Sequence, residues 1–231
     1  GSITSTVSAN ADAGFSIVGW ANTGSAVTIG HGLSSTPELI ISKMRSASGS
    51  WFIHSKSGAA TQILRLEGTY AFGTHDVYNN TYPTSSVFSY KHGDAEDFIA
   101  YCFHSVEGYS KVGSYTGNGW PTNHSSTFED GPFVYTGFKP AYVMIKQTTS
   151  ADSWLIMDST RKEYNPNGVT LTADSSNAEH DNSSSSGYLS NKIDMVSNGF
   201  KIRSENSSIN YVRDYIFIAF AESPFKHTNA R

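Results

Sequence analysis

The stretch Asp-Phe-Ile-Ala-Tyr-Cys-Phe at Asp97–Phe103 decides the fold class of this chain. Aromatic and β-branched residues are typical of a strand, and both alternating sets of side chains are apolar, so we expect a central strand covered on both faces. A second stretch of the same character, Asp-Tyr-Ile-Phe-Ile-Ala-Phe, occupies Asp214–Phe220. Each stretch is expected to form the centre of one half of the molecule.

Three further blocks of sequence occur twice and in the same order. They are Gly14–Gly19 with Gly108–Gly113, Pro37–Lys43 with Pro140–Lys146, and Ser50–Ile53 with Ser153–Ile156. The spacing between the copies grows along the chain, which indicates an ancient duplication with insertions in the second copy. Residues that both copies share are therefore expected to be scaffold, and residues that only one copy has are candidates for function.

The segments between these blocks predict an all-β fold. Gly, Ser, Asn or Pro interrupts short apolar runs about every ten residues, which gives about fourteen short strands, and no long segment has a helical period. We expect a jelly-roll-like β-sandwich built from two sequence-related halves, residues 14–107 and 108–231. The halves follow each other without a linker, which favours one fused sandwich.

The first thirteen residues have a different character. Gly1-Ser2 is typical of a cloning scar, and the polar, unpatterned remainder of residues 1–13 is interpreted as the tail of a linker. The chain is accordingly expected to be the C-terminal piece of a longer protein.

Composition argues against several classes of partner. Charged residues make up 16% of the chain and its formal net charge is −4, so no basic stripe is available to neutralise nucleic-acid phosphates. No apolar run approaches the roughly 18 residues of a membrane span, so no membrane insertion is expected. The single cysteine, Cys102, cannot form an internal disulfide and is expected to be a small core residue.

The repeated blocks also match individual residues in pairs. Trp51 matches Trp154, and both are expected to anchor the core of their half. Lys43 matches Lys146, and both are expected to lie solvated at a strand edge.

No pattern of catalytic or metal-binding residues is present. The histidines lack metal-ligand spacing, and there is no GxSxG or P-loop motif. A glycosidase needs two carboxylates about 5 to 10 Å apart across a cleft, and no acidic pair stands in a recognisable frame. We therefore expect no enzyme activity and no cofactor. Calcium stays possible, because carboxylates that could bind it occur at Asp94, Glu96, Asp97, Asp152, Asp158 and Asp174.

Aromatic residues without a counterpart in the other copy are the candidate binding residues. Aromatic rings cover the apolar face of a sugar, and neighbouring amides, carboxylates and imidazoles bind its hydroxyl groups. The same residue types also build subunit interfaces or simply pack over the ends of a sandwich. One such loop holds Tyr70 and Phe72 together with several of the candidates. The candidate glycan- or receptor-binding residues are Trp20, Asp76, Tyr78, Asn79, Tyr82, Trp120, Asn123 and His124.

Three motifs carry a resemblance to a known family: Glu107–Gly119, Gly131–Lys146 and Ala219–Lys226. Together they resemble a family of poorly characterised domains in phages, many of them marine, found mostly at the C-termini of tail-fibre or other virion proteins. The resemblance extends from about residue 13 to residue 231. It implies display on the extracellular surface of a phage particle and a homo-oligomer, by analogy a trimer. It carries no catalytic residues.

These observations lead to three hypotheses. The first is a tail-fibre or spike receptor-binding domain that recognises a host-surface glycan without catalysis, with weak single-site affinity multiplied by several copies per virion. The second is a structural virion decoration or fibre-assembly domain, whose aromatic loops are buried between subunits. The third is a capsule-degrading glycosidase.

Overall fold

The computed structural model describes residues 1–119, 130–181 and 191–224, and within these ranges it is all-β, as the sequence predicts. It contains strands β1 to β18 and one short helix, α1 (Ser207–Asn210). No helix in the described ranges has the length and apolar character needed to cross a membrane. The chain divides into two compact units, Gly1–Val106 and Glu107–Arg231, next to the boundary expected from the repeats.

The first unit contains two antiparallel sheets. The larger sheet has the order β1-β2-β9-β4-β5-β6-β7, and β3 pairs with β8 in the smaller one. The strands are β1 (Thr6–Asn10), β2 (Phe15–Ala21), β3 (Val27–Gly30), β4 (Leu39–Met44), β5 (Trp51–Ser55), β6 (Gln62–Arg65), β7 (Gly73–Thr74), β8 (Val87–Tyr90) and β9 (Asp97–Phe103).

The core of the first unit lies between these two sheets. Val18 and Phe98 of the larger sheet pack in one buried cluster with Ile29 and Phe88 of the smaller sheet. In β9 the residues Phe98, Ala100 and Cys102 are buried, while the residues between them are half-buried. The predicted central strand is therefore confirmed in position, with one face in the core and the other partly covered. Cys102 is a core residue, as expected.

The second unit is also built from antiparallel sheets. Its larger sheet has the order β10-β18-β12-β13-β14-β15, and its smaller sheet has the order β11-β17-β16. The strands are β10 (Ser110–Thr116), β11 (Phe133–Tyr135), β12 (Pro140–Gln147), β13 (Leu155–Asp158), β14 (Val169–Thr172), β15 (His180–Asp181), β16 (Ile193–Val196), β17 (Gly199–Ile202) and β18 (Asp214–Ala221).

The core of the second unit again joins the two sheets. Val143 and Phe217 of the larger sheet pack with Val134 and Phe200 of the smaller one. Strand β18 is buried over five successive residues from Tyr215, so both of its faces are covered. This confirms the expectation drawn from its uninterrupted apolar sequence.

The two units share one strand order. β2-β9-β4-β5-β6-β7 corresponds position by position to β10-β18-β12-β13-β14-β15, and the pair β3-β8 corresponds to β11-β17. Both units also have a hydrogen bond from a tryptophan N–H to a carboxylate. The backbone N–H of Trp51 donates to Glu67 Oε2 at 2.9 Å. The backbone N–H of Trp154 donates to Asp174 Oδ1 at 2.8 Å. The shared order agrees with the repeated blocks of sequence. The duplication and the fused sandwich themselves stay predictions.

The expectation of a linker in residues 1–13 needs correction. Thr6–Asn10 forms β1, which pairs in continuous register with β2. All five side chains of β1 are exposed, so the strand is held by backbone hydrogen bonds and leaves no apolar pattern in the sequence. Ser2 is also bound, because its N–H donates to Thr28 O at 2.8 Å.

Candidate functional site

Two of the predicted binding residues lie in the core of the first unit, so their assignment to a ligand contact is wrong. Trp20 is 4% exposed and Tyr78 is 2% exposed. Trp20 follows Val18 on the inward face of β2, where its ring stacks on Phe98 with centroids 5.7 Å apart and meets Tyr90 edge-on at 5.0 Å. Alternation along a strand marks two faces, but the partner sheet decides which of them is inside.

Tyr78 has a structural role within the loop of residues 66–86. Its hydroxyl donates to Phe52 O at 3.0 Å and lies 2.9 Å from Ser42 Oγ. Burial raises the pKa of this hydroxyl well above its ordinary value, so it stays a neutral donor. Tyr78 therefore anchors the middle of the loop to β4 and β5.

Tyr82, in the same loop, is 52% exposed. Its hydroxyl donates to Gly58 O at 3.1 Å, in the turn between β5 and β6. Its ring meets the buried imidazole of His54 edge-on, with centroids 5.9 Å apart. Tyr82 is thus held at its tip and along its ring while half of its surface faces solvent.

Tyr70 is 57% exposed. It is held by the hairpin of β5 and β6, at the end away from the turn that binds Tyr82. The guanidinium of Arg65, the last residue of β6, lies 5.4 Å from the centroid of the Tyr70 ring, within the range of a cation–π contact. A Cβ on Gly68 would lie 2.6 Å from the Tyr70 ring. Any larger residue at position 68 would collide with the Tyr70 ring in this position, so the ring depends on glycine there.

We call the exposed rings of Tyr70 and Tyr82 the tyrosine surface. Both rings are held by the β5–β6 hairpin, one near its turn and the other at the end of β6. At about 3.3 Å per strand residue, their attachment points are more than about 10 Å apart. The two rings are therefore held at separate points along the hairpin.

Polar groups of the same loop are exposed as well. The Asp76 carboxylate accepts a hydrogen bond from Lys91 Nζ at 2.6 Å, and this bond lowers the pKa of Asp76. Asn79 and Asn80 are exposed and have φ angles of 52° and 49°, a left-handed conformation that asparagine tolerates better than most residues. The loop therefore presents carboxylate and amide groups in addition to the two rings, and Lys91, which follows β8, adds an ammonium group.

Of the predicted site, Asp76, Asn79 and Tyr82 are exposed on one loop of the first unit, and Tyr70 joins them. Trp120, Asn123 and His124 lie outside the described residues. The sequence alone could not separate Tyr70 and Tyr82 from Tyr78, since all three are tyrosines of one polar loop.

In the second unit, a buried lysine that sequence reasoning placed at a solvated strand edge has to be reassigned. Lys146 is fully buried in β12 and donates to Gln147 O at 2.6 Å. Burial lowers its pKa to about 8, against the opposing influence of the Asp152 and Asp174 charges. Its counterpart Lys43 is only half-buried, with its ammonium 5.9 Å from the centroid of the Trp51 ring.

The carboxylates considered for calcium have other partners. Asp152 accepts hydrogen bonds from the Ser153 N–H at 3.0 Å and from Ser208 Oγ at 2.7 Å. Glu96 accepts from Ser46 Oγ at 2.6 Å. In the described parts of the chain, no group of three or more His, Cys, Asp or Glu side chains is placed to hold a metal ion.

Comparison with known proteins gives one match. The model of a family described as a domain of unknown function, DUF7483, matches residues 1–224. No curated protein and no solved structure matches the chain.

Proposed function

The chain belongs to the DUF7483 family, a domain of unknown function, and from its geometry we propose that the first unit binds an extended surface glycan through the tyrosine surface, without catalysis. The observation that carries the proposal is the pair of half-exposed rings, Tyr70 and Tyr82, each held in place by the β5–β6 hairpin. Rings that are already held in place lose little conformational entropy when a ligand stacks on them, so more of the contact energy contributes to affinity.

The surroundings of the rings support a sugar ligand. Asp76, Lys91 and Asn79 offer acceptors and donors for hydroxyl groups near an aromatic surface. The virion setting, the host-cell location of the glycan and the trimeric state belong to the same proposal. They rest on the resemblance carried by the motif Gly131–Lys146 and its companions.

A second candidate function is virion assembly, and an observation in the second unit favours it. Phe133 and Tyr135 are 46% and 65% exposed, and they flank the buried Val134 on the outer face of β11. Two aromatic rings exposed on one strand face are typical of a subunit contact. This face lies in the second unit, so binding and assembly can be tested by separate substitutions.

The test of glycan binding uses an array of bacterial surface oligosaccharides, followed by titration of the best ligand. We expect Tyr70→Ala and Tyr82→Ala each to weaken binding about fivefold, because a lost ring contact is worth roughly 1 kcal/mol. Tyr82→Phe keeps the ring and loses only the bond to Gly58, so its effect should be smaller.

The matched control is Tyr164→Ala, which removes a tyrosine that is 77% exposed in the second unit. This variant should bind like the unmodified protein. The proposal fails if the folded protein binds no glycan at about millimolar concentration, or if Tyr164→Ala weakens binding as much as Tyr82→Ala. Release of new reducing ends from the bound polysaccharide would contradict the absence of catalysis.

A further inference from the structure

A polar pocket in the second unit is separate from the tyrosine surface. Its volume is about 360 Å³, and it lies between β13, β14, β15 and the start of α1. Leu155 and Ala178 are its apolar lining residues, and hydroxyl, amide, carboxylate and imidazole groups make up the rest. A volume of this size is near the lower end of small-molecule sites, roughly 300–1,000 Å³.

The carboxylate of Asp152 is fixed at one side of this pocket. It accepts from Ser208 Oγ, Ser207 Oγ and the Ser153 N–H at 2.7, 3.2 and 3.0 Å. Its orientation is therefore set before any ligand arrives. Its Oδ1 accepts two of these bonds, and its Oδ2 accepts from Ser207 Oγ and, at 3.5 Å, from Gln147 Nε2. A ligand hydroxyl therefore bonds to Asp152 in exchange for one of these contacts, of which the Gln147 contact is the longest.

A second acceptor in the lining lacks a donor. The amide oxygen of Asn191 is buried and has no hydrogen-bond partner within the described part of the chain. A buried acceptor without a donor carries a free-energy cost. A ligand hydroxyl that reached this oxygen would remove that cost.

The charges around the pocket favour a neutral ligand. Asp152 and Asp174 act on the ammonium of buried Lys146, and the guanidinium of Arg213 lies next to Gln147, with Nη1 3.1 Å from its Oε1. Among the described lining residues Asp152 is the one carboxylate, and no lysine or arginine lines the pocket, so an anionic ligand meets no cationic partner there. The donors and acceptors of the lining instead match the hydroxyl groups of a sugar.

From these observations we infer that the pocket beside Asp152 and Asn191 is a second binding site, which takes one neutral sugar ring or a polyol of similar size. The site does not depend on the tyrosine surface. Each of the two sites can therefore be lost without the other.

The experiment is an amide NMR titration of the full chain with glucose, galactose, mannose, N-acetylglucosamine and glucuronate. We expect a neutral sugar to give saturable shifts near Asp152 and Ser208 with millimolar affinity. Ala178→Trp places a large ring at the pocket and should weaken this binding at least tenfold. Asn191→Ala and His180→Ala, which only remove polar groups, should weaken it severalfold.

The matched control is Ala47→Trp, which adds the same ring at an exposed position of the first unit. It should bind the neutral sugar normally, as should Tyr70→Ala and Tyr82→Ala. The inference is overturned if no neutral sugar gives saturable shifts up to about 100 mM, if glucuronate binds more tightly than the neutral sugars, or if none of the three pocket variants weakens binding. Loss of this binding in Tyr82→Ala would assign it to the tyrosine surface instead.

Discussion

His54 is a histidine of the first unit that burial keeps in its neutral form. It is 1% exposed, and neither ring nitrogen has a hydrogen-bond partner in the described residues. Its imidazole packs against Tyr78 and Tyr82, with ring centroids 5.4 and 5.9 Å away. Burial lowers its pKa from 6.5 to about 4, because a charged imidazolium cannot be solvated there.

This pKa predicts a loss of stability in mild acid. Between pH 6.5 and about 4 the unfolded chain binds a proton at His54 and the folded chain does not, so stability is full above this window and falls as the pH drops through it. The full loss is about 3 kcal/mol. Urea unfolding at several pH values should show it, and His54→Leu should flatten that part of the profile.

His180→Ala is the control for this prediction, because His180 is exposed in β15. Because this variant keeps His54, the loss of stability between pH 6.5 and about 4 should persist in it. An unchanged slope in His54→Leu would mean that His54 takes up its proton in the folded state. The ring of Tyr82 packs against His54. The same experiment therefore tests the stability of a contact that holds one ring of the tyrosine surface in place.

At the level of elements, β1 has an unusual position. It covers the edge of β2 through backbone pairing, although none of its side chains is buried. Of the residues before it, Ile3 packs against the core of the first unit. The edge of a sheet without such cover presents free N–H and C=O groups and pairs readily with other chains.

Deleting residues 1–10 should leave the first unit folded but prone to self-association. The loss of the Ile3 contact should cost about 1–2 kcal/mol, and the uncovered edge of β2 should promote strand pairing between molecules. Calorimetry and light scattering after size exclusion measure the two effects. Val7→Ala changes a side chain and keeps the backbone pairing, so it should scatter like the full chain. A deletion variant with unchanged association would show that β1 does not protect this edge.

At the level of the whole molecule, the two candidate functions use different exposed residues. Glycan binding uses Tyr70 and Tyr82 of the first unit, whereas assembly would bury Phe133 and Tyr135 of the second. If β11 forms the subunit contact, Phe133→Ser combined with Tyr135→Ser should convert the oligomer to monomers and leave glycan affinity per site unchanged. Sedimentation equilibrium measures the first result and monovalent titration the second.

Tyr164→Ser is the control for the assembly prediction, because it removes an even more exposed ring that lies outside β11. It should sediment like the unmodified protein. Assembly through β11 is refuted if the unmodified protein is monomeric at about 100 µM, or if the double variant keeps its mass.

Most of the strands could be predicted from runs of apolar and aromatic residues in the sequence. The runs at 98–103 and 215–220 predicted the central strands β9 and β18, because only a covered strand tolerates apolar residues on both faces. Four of the eighteen strands in the described residues escaped prediction. One is β16, in which buried Ile193 and Met195 alternate with half-buried residues. The other three, β1, β7 and β15, are two to five residues long with exposed side chains. Backbone pairing holds such strands, and it leaves no mark in the choice of side chains.

The amino-acid order was sufficient for the all-β class, the two central strands and the doubled blocks, because alternation and apolar runs are local properties of a chain. The exposure of particular rings was settled by packing. Tyr78 and Tyr82 are four positions apart in one loop, yet one bonds to β4 and β5 inside the core and the other faces solvent. Likewise, Lys43 and Lys146 occupy matched positions, but only Lys146 lies in a strand segment buried on both faces. Whether a residue is buried depends on which sheet packs over it. That packing is made by segments that are far apart in the sequence, so local patterns of residues do not determine it.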